Sequence, residues 1–125
     1  MTLVDSVGWI EFFTDGPLAQ DYAKHLQKPS EIVVPTIVIY EVYKKIKAER
    51  SEEEALVAIT TMQNARMVPL TEELSLAAAD ASLRYKLAMA DAIVYASAFQ
   101  EGASLVTSDK SLKDLPNVTY YPRKS

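Results

Sequence analysis

Short apolar runs alternate with longer amphipathic stretches along the chain. Most of the short runs are rich in Val, Ile or Leu and are bounded by polar residues, glycine or proline, a pattern typical of strands buried in a sheet. The strands predicted in this way cover residues 2–5, 31–35, 65–69, 103–109 and 117–121. Short strands are therefore expected from one end of the chain to the other.

The amphipathic stretches between these strands predict helices. Asp15-Gly16-Pro17 ends the first helix and begins the second, because glycine stops a helix and proline fits its first turn. Ser51 and Glu54 form a capping box, Thr71 caps a later helix, and Gly102 stops the last one. The predicted helices cover residues 6–15, 17–27, 36–49, 51–65, 72–86 and 89–101.

The alternation of strands and helices predicts the fold class. Strands separated by helices favour a parallel sheet whose two faces are both covered by helices. We therefore expect an α/β fold, a three-layer α/β/α sandwich with a central parallel sheet, in one domain spanning residues 1–125. Open sheets of this kind bind ligands at the carboxyl ends of their strands, so functional side chains are sought there.

Composition narrows the setting in which the protein works. Cysteine is absent, which excludes a disulfide framework, a thiolate metal site and a cysteine nucleophile. No apolar run approaches the roughly 20 residues that cross a bilayer, and the start MTLVDSVGW lacks the features of a signal peptide. We expect a cytoplasmic protein with no membrane partner.

Four carboxylates stand in apolar surroundings, where an ionised side chain is costly to bury. Two follow predicted strands, and two lie within predicted helices, one of them in the apolar segment LAMADAIVYASAF (87–99). In chain order they are Asp5, Glu41, Asp91 and Asp109.

Each acid has a simple alternative explanation when it is taken alone. Asp5 or Asp109 could cap a helix, Glu41 could pair with Lys44 or Lys45, and Asp91 could interact with a helix dipole.

All four acids together are better explained by a divalent cation, which removes their mutual repulsion. Oxygen ligands without His or Cys favour Mg²⁺ or Mn²⁺, and two such ions can promote phosphodiester hydrolysis. The net charge of −4 argues against a nucleic-acid partner. However, setting the four acids aside as ligands leaves thirteen basic and thirteen acidic residues.

Three segments of the chain resemble the PIN-domain family, specifically the VapC-type toxin ribonucleases of toxin–antitoxin pairs. The segments are LVDSVGWIEFF, VVPTIVIYEVYKKI and LAMADAIVYASAFQEGASLVTSDKSLKDLPNV, and the third is the most specific. The family's acidic positions fall on the four residues identified above. The resemblance implies a PIN-like sandwich, a metal-dependent endoribonuclease, an RNA substrate, a cognate antitoxin protein and a homodimer.

The resemblance also implies roles for individual residues. Asp5, Asp91 and Asp109 would hold Mg²⁺ or Mn²⁺, Glu41 would be a further ligand or position a water, and Ser6 and Thr107 would support these ligands. Cleavage would leave a 5′-phosphate and a 3′-hydroxyl. The chain departs from the family in two places: Leu112 stands where an aromatic residue is frequent, and Ser108 where a basic residue is frequent.

Other residues with possible chemistry have simpler interpretations. His25 is expected on a polar surface, and Tyr40 and Tyr43 are expected to pack rather than line a groove. Trp9, Phe12 and Phe13 are expected in the core, and the basic run of Lys44, Lys45, Lys47 and Arg50 on a solvated helix face. Lys110 is the best basic candidate for a phosphate contact, because it follows Asp109 directly.

Two alternatives to the nuclease remain open. The first is a phosphoacceptor receiver-like module, which also uses strand-end acids and Mg²⁺. Such modules usually have paired acids after their first strand, whereas Asp5 is followed by Ser6 and Val7. The second alternative is a non-catalytic PIN-like domain that binds RNA or protein.

Overall fold

The structure, a computed structural model, describes residues 1–124; Ser125, the last residue of the expected domain, lies outside the described residues. The strands are β1 (Thr2–Val4), β2 (Ile32–Pro35), β3 (Arg66–Val68), β4 (Ser104–Thr107) and β5 (Val118–Tyr120). The α-helices are α1 (Ser6–Thr14), α2 (Ala19–Ala23), α3 (Thr36–Glu49), α4 (Glu52–Met62), α5 (Glu72–Tyr85) and α6 (Met89–Gln100). Short 3₁₀ turns cover Pro29–Glu31 and Lys110–Leu112.

The strands form one parallel sheet in the order β3-β2-β1-β4-β5, which confirms the predicted α/β fold with a central parallel sheet. The chain builds outward from β1 to β3 and then crosses back to β4, so the direction of winding reverses between β1 and β4. Because crossovers between parallel strands are right-handed, this reversal sends α1–α4 and α5–α6 to opposite faces. A reversal of this kind opens a crevice at the carboxyl ends of the two strands, where ligands bind.

The strand order separates this fold from the receiver-like alternative. Receiver modules have the order 2-1-3-4-5, in which the chain reverses between the first and third strands. Here β2 lies between β1 and β3, and the reversal comes only before β4. The receiver-like alternative was therefore wrong as a description of this topology.

The core consists of the sheet and the apolar faces of the helices that cover it. Leu3, Val33 and Leu105 come from three neighbouring strands and are at most 1% exposed. The α1 and α2 helices approach closely at Gly8, because a methyl group there would overlap the ring of Tyr22. This close contact lies beside the carboxyl end of β1.

The second predicted helix is wrong in length. We expected it over 17–27, but α2 covers only Ala19–Ala23, and a turn replaces its last residues. His25 therefore lies in a connection rather than on a polar helix face, and it is half-buried with its Nε2 2.9 Å from the hydroxyl oxygen of Tyr121. Tyr40 also differs from expectation, since it is 60% exposed rather than packed. The segment 36–49, in contrast, is helical over its full predicted length.

Candidate active site

Asp5 and Asp109 are joined through one threonine at the carboxyl ends of β1 and β4. Asp5 is 6% exposed; its Oδ1 accepts a hydrogen bond from the Ser6 backbone N–H and its Oδ2 accepts one from the Thr107 hydroxyl, both at 2.8 Å. The same hydroxyl oxygen accepts the Asp109 backbone N–H at 3.0 Å. Thr107 thus fixes the Asp5 carboxylate and the start of the turn that carries Asp109.

Glu41 reaches this edge of the sheet from α3. That helix begins directly after β2, the neighbour of β1, so its first turns lie at the carboxyl edge. Glu41 is half-buried, with the buried residues Val38 and Val42 one turn before it and directly after it. Packing of this apolar face against the core holds the Glu41 backbone near Asp5.

Asp91 reaches the same edge from the first turn of α6. Residues 92–98 of this helix are all buried, so α6 has little freedom to rotate against the sheet. The residue directly before α6, Ala88, provides no side-chain cap. The Asp91 carboxylate consequently lies near the positive end of the helix dipole, which favours a negative charge.

The pKa values of three of these acids are raised. Burial is the main cause for Asp5, and hydrogen bonds from Thr107 and Ser6 partly oppose it. Burial and then the charge of Asp5 raise the pKa of Glu41, while the nearby Ser6 hydroxyl lowers it. Burial, followed by the neighbouring Asp109 carboxylate, raises the pKa of Asp91 to about 7, with smaller effects from Asp5 and Glu41.

These effects show that the four predicted acids lie in one electrostatic environment. Within residues 1–124, none of the four forms an ion pair with a Lys, Arg or His side chain. Their charges therefore repel one another without a paired cation of the protein to compensate them.

The chemistry of this donor set fits a hard divalent cation, although the side chains do not form a closed ligand set. Among the described residues, no three acidic or histidine side chains are close enough together to hold one metal ion. Carboxylates without His or Cys are the donors that Mg²⁺ and Mn²⁺ prefer. Burial and then the like charges of neighbouring acids raise the pKa values of Asp5, Glu41 and Asp91, and a bound cation would oppose these effects.

Two residues beside the site form a contact that was not predicted: Tyr22 was not singled out from the sequence, and Ser108 was named only as a departure from the family. The Tyr22 and Ser108 hydroxyls are 2.6 Å apart and buried, and burial raises the pKa of Tyr22 to about 12. Ser108 lies between Thr107 and Asp109, so this bond fixes the turn after β4. The two residues are 86 positions apart, and neither lies in a local pattern that predicts their contact.

Comparison with known proteins identifies the family. The PIN domain family matches residues 2–118, which is nearly the whole chain. A search of curated proteins found no match.

Solved structures share the fold at low sequence identity. A toxin–antitoxin complex from Klebsiella pneumoniae superimposes with a TM-score of 0.83 at 21% identity, covering 98% of this chain and 100% of the other. VapBC2 from Rickettsia felis, bound to a DNA fragment from its promoter, superimposes with a TM-score of 0.73 at 13% identity. The superposition covers 97% of this chain and 97% of the other. Mycobacterium tuberculosis VapC20, a Sarcin-Ricin loop cleaving toxin, superimposes with a TM-score of 0.70 at 19% identity. The superposition covers 83% of this chain and 85% of the VapC20 chain.

Proposed function

Since this chain belongs to the PIN-domain family, we propose that it is a Mg²⁺- or Mn²⁺-dependent endoribonuclease, the toxin of a toxin–antitoxin pair. The observation that carries the proposal is the mutual electrostatic influence of four carboxyls, without a paired basic residue among residues 1–124, near the carboxyl edge where the winding of the sheet reverses. VapC20, a Sarcin-Ricin loop cleaving toxin that shares this fold, supports an RNA substrate.

The proposed roles come from the resemblance to the PIN-domain family, and the positions of the side chains support them. Asp5, Asp91 and Asp109 would hold the cation, and Glu41 would either complete this set or orient the attacking water. Thr107 keeps the Asp5 carboxylate in one orientation, which reduces the reorganisation needed on binding. Ser6 supports both Asp5 and Glu41. When bound, a divalent cation lowers the pKa of water and stabilises negative charge on the phosphate.

Proton transfer is a second task for these side chains. At neutral pH Asp91 is divided between its protonated and ionised forms while the site holds no cation, because its pKa is about 7. Cation binding favours the ionised form, so we expect proton release when the site is loaded. Glu41, whose pKa is also raised, would accept a proton from the attacking water if it orients that water.

Two protein partners belong to the proposal. The complexes from Klebsiella pneumoniae and Rickettsia felis pair a toxin with an antitoxin, which supports a cognate antitoxin for this chain. A second copy of the chain is the other proposed partner. Several large apolar side chains on α5 and α6 are between 64% and 83% exposed and are available for protein contacts: Leu76, Leu83 and Phe99.

No helix among the described residues is long and apolar enough to cross a membrane.

The experiment that tests the nuclease is cleavage of a broad panel of structured RNAs with Mg²⁺, with Mn²⁺ and with EDTA. We expect cleavage only with a divalent cation, and a rate at least roughly a hundredfold lower in Asp91→Asn. Asp80→Asn is the matched control, because Asp80 is exposed on α5. Absence of cleavage of every RNA would favour the non-catalytic PIN-like binding module. Equal cleavage by Asp91→Asn and the unaltered protein would contradict the proposed role of Asp91.

A further inference from the structure

The segment after β5 crosses the carboxyl edge of the sheet beside the candidate site. The backbone N–H of Tyr121 donates to the Thr107 carbonyl at 2.9 Å, so pairing with β4 continues one residue past the end of β5. Thr107 is the residue whose hydroxyl binds Asp5. The chain that follows Tyr121 therefore leaves the sheet next to the most buried acid of the site.

This segment is held on both sides of Arg123. Before it, the Tyr121 ring packs against the Tyr22 ring at 5.4 Å, and the Tyr121 hydroxyl lies 2.9 Å from His25 Nε2. After it, Lys124 Nζ is 3.5 Å from the Pro17 carbonyl oxygen and 3.8 Å from an Asp21 carboxylate oxygen. These contacts place Arg123 between α2 and the end of β4.

Arg123 is exposed, and its guanidinium group is accessible to a ligand. It forms no ion pair within the part of the chain that the structure describes. Its charge nevertheless reaches the site. Among the effects on Asp5, burial raises the pKa most, whereas Arg123 lowers it. Arg123 also lowers the pKa of Tyr22, which burial raises.

We propose that Arg123 binds a backbone phosphate of the RNA strand as that strand enters the carboxylate site. This inference rests on the proposed function. A site lined by carboxylates repels phosphate, and the residue directly before Asp109 is Ser108, which brings no positive charge. A guanidinium donates two parallel hydrogen bonds to one phosphate and remains charged at every physiological pH.

The inference differs from what the sequence alone favours. Lys110 is the best basic candidate by position in the chain, because it follows Asp109. In the structure Lys110 is exposed at the start of the 3₁₀ turn that follows β4. Arg123 is selected by the fold, since it is 118 positions after Asp5 in the chain and adjacent to it only through β4 and β5.

The test measures binding of a fluorescein-labelled, mixed-sequence single-stranded RNA across a series of salt concentrations. Binding is measured in EDTA with a monovalent salt, in the Asp91→Asn background, which prevents cleavage from obscuring affinity. Arg123→Gln is expected to bind roughly tenfold more weakly at low salt. The slope of log affinity against log salt is expected to become shallower by about 0.7, the value for one phosphate of a single strand.

Variants matched in charge make the result specific. Arg66→Gln is the control, because Arg66 begins β3 at the opposite edge of the sheet and pairs with Glu101. We expect Arg66→Gln and Lys110→Gln to keep the original slope of log affinity against log salt. Arg123→Lys should also keep this slope, but it should bind RNA more weakly than the protein with Arg123. Loss of affinity in Lys110→Gln rather than Arg123→Gln would overturn the inference, as would absence of RNA binding in every variant.

A second measurement separates an RNA contact from a role as counter-ion to the acids. If Arg123→Gln leaves RNA binding unchanged and only tightens Mn²⁺ binding to the otherwise unaltered protein, Arg123 compensates the carboxylates and the inference fails. The outcome is also independent of the nuclease proposal. A protein that binds RNA through Arg123 but cleaves none of the panel supports the phosphate contact and contradicts the nuclease.

Discussion

At the residue scale, Asp91 makes the stability of the metal-free protein depend on pH. Burial and the Asp109 carboxylate raise its pKa from 3.8 to about 7, so the folded protein binds this proton more tightly than the unfolded chain. The stabilisation is complete below the unfolded pKa and is lost as pH rises through the folded one, between about 4 and 7. Asp91→Asn removes this loss.

The expected result is a free energy of unfolding at about pH 8 that is higher in Asp91→Asn than in the unaltered protein, by about 1 kcal/mol after allowance for solvent screening at this half-exposed site. Urea denaturation in EDTA at about pH 5 and about pH 8 measures the difference. Asp80→Asn is the control, and it should not alter the pH dependence. A lower stability of Asp91→Asn at both pH values would mean that the carboxylate itself stabilises the fold.

Thr107 carries a second prediction at this scale. Its side chain is fully buried, and its hydroxyl both donates to Asp5 and accepts from the Asp109 backbone. Thr107→Val keeps the volume but leaves these two buried groups without a partner, at a cost of about 1–3 kcal/mol in the free energy of unfolding. Thr107→Ser keeps the hydroxyl, so urea denaturation should show a smaller loss and RNA cleavage should be retained. Equal losses in the two variants would assign the effect to packing.

Single residues also show what the sequence could and could not predict. The four acids were identified because a charged residue in an apolar segment can be recognised without knowing which residues lie near it in the fold. The Tyr22–Ser108 and Thr107–Asp5 bonds join residues 86 and 102 positions apart, so they depend on strand pairing that local patterns do not specify. The role of the four acids in RNA cleavage stays a prediction.

At the scale of elements, the contact between α1 and α2 leads to a prediction at Gly8. Alanine favours a helix over glycine by about 1 kcal/mol, so Gly8→Ala would stabilise an exposed helix. Here a methyl group overlaps the Tyr22 ring and Val4, and we expect a net destabilisation of about 1–3 kcal/mol in urea denaturation. The displaced Tyr22 would also weaken its bond to Ser108.

The reverse substitution at an exposed helical position provides the comparison for Gly8. Ala79 is exposed on α5. The free energy of unfolding of Ala79→Gly should therefore fall by only about 1 kcal/mol, which is the intrinsic preference of a helix for alanine over glycine. A Gly8→Ala variant as stable as the unaltered protein would show that α2 moves away from α1 without cost.

The elements themselves were predicted unevenly, for a physical reason. The α3 helix is recognisable from its long amphipathic pattern, and it begins and ends at the predicted residues. The α2 helix is five residues long, and contacts with α1 and the segment after β5 determine where it ends. Local signals such as Pro17 and Gly16 could place its start approximately but not its end.

At the scale of the whole molecule, the strand order determines the site. Hydrophobic patterns indicate which segments are strands, but they do not give the order β3-β2-β1-β4-β5. That order makes β1 and β4 neighbours and brings Asp5 and Asp109 together across more than one hundred residues. The resemblance to the PIN-domain family implied a shared role for these acids, but it did not give the strand order.

The last prediction concerns the folded molecule as a ligand-binding unit. A cation that binds the carboxylates of the folded protein but not the unfolded chain stabilises the whole molecule, by about 2.7 kcal/mol at a hundred times its dissociation constant. We expect Mg²⁺ or Mn²⁺ to raise the melting temperature relative to EDTA. The increase should be larger at about pH 8 than at about pH 6, because the cation competes with the proton on Asp91.

Differential scanning calorimetry with a Mn²⁺ series at both pH values measures this linkage without RNA. Asp91→Asn should lose most of the increase, while Asp80→Asn, which changes an exposed acid on α5, should retain it. Equal increases in the two variants would mean that the cation binds general surface charge. An increase that is independent of pH would mean that the cation binds without displacing the Asp91 proton, and that the site is built from the other acids.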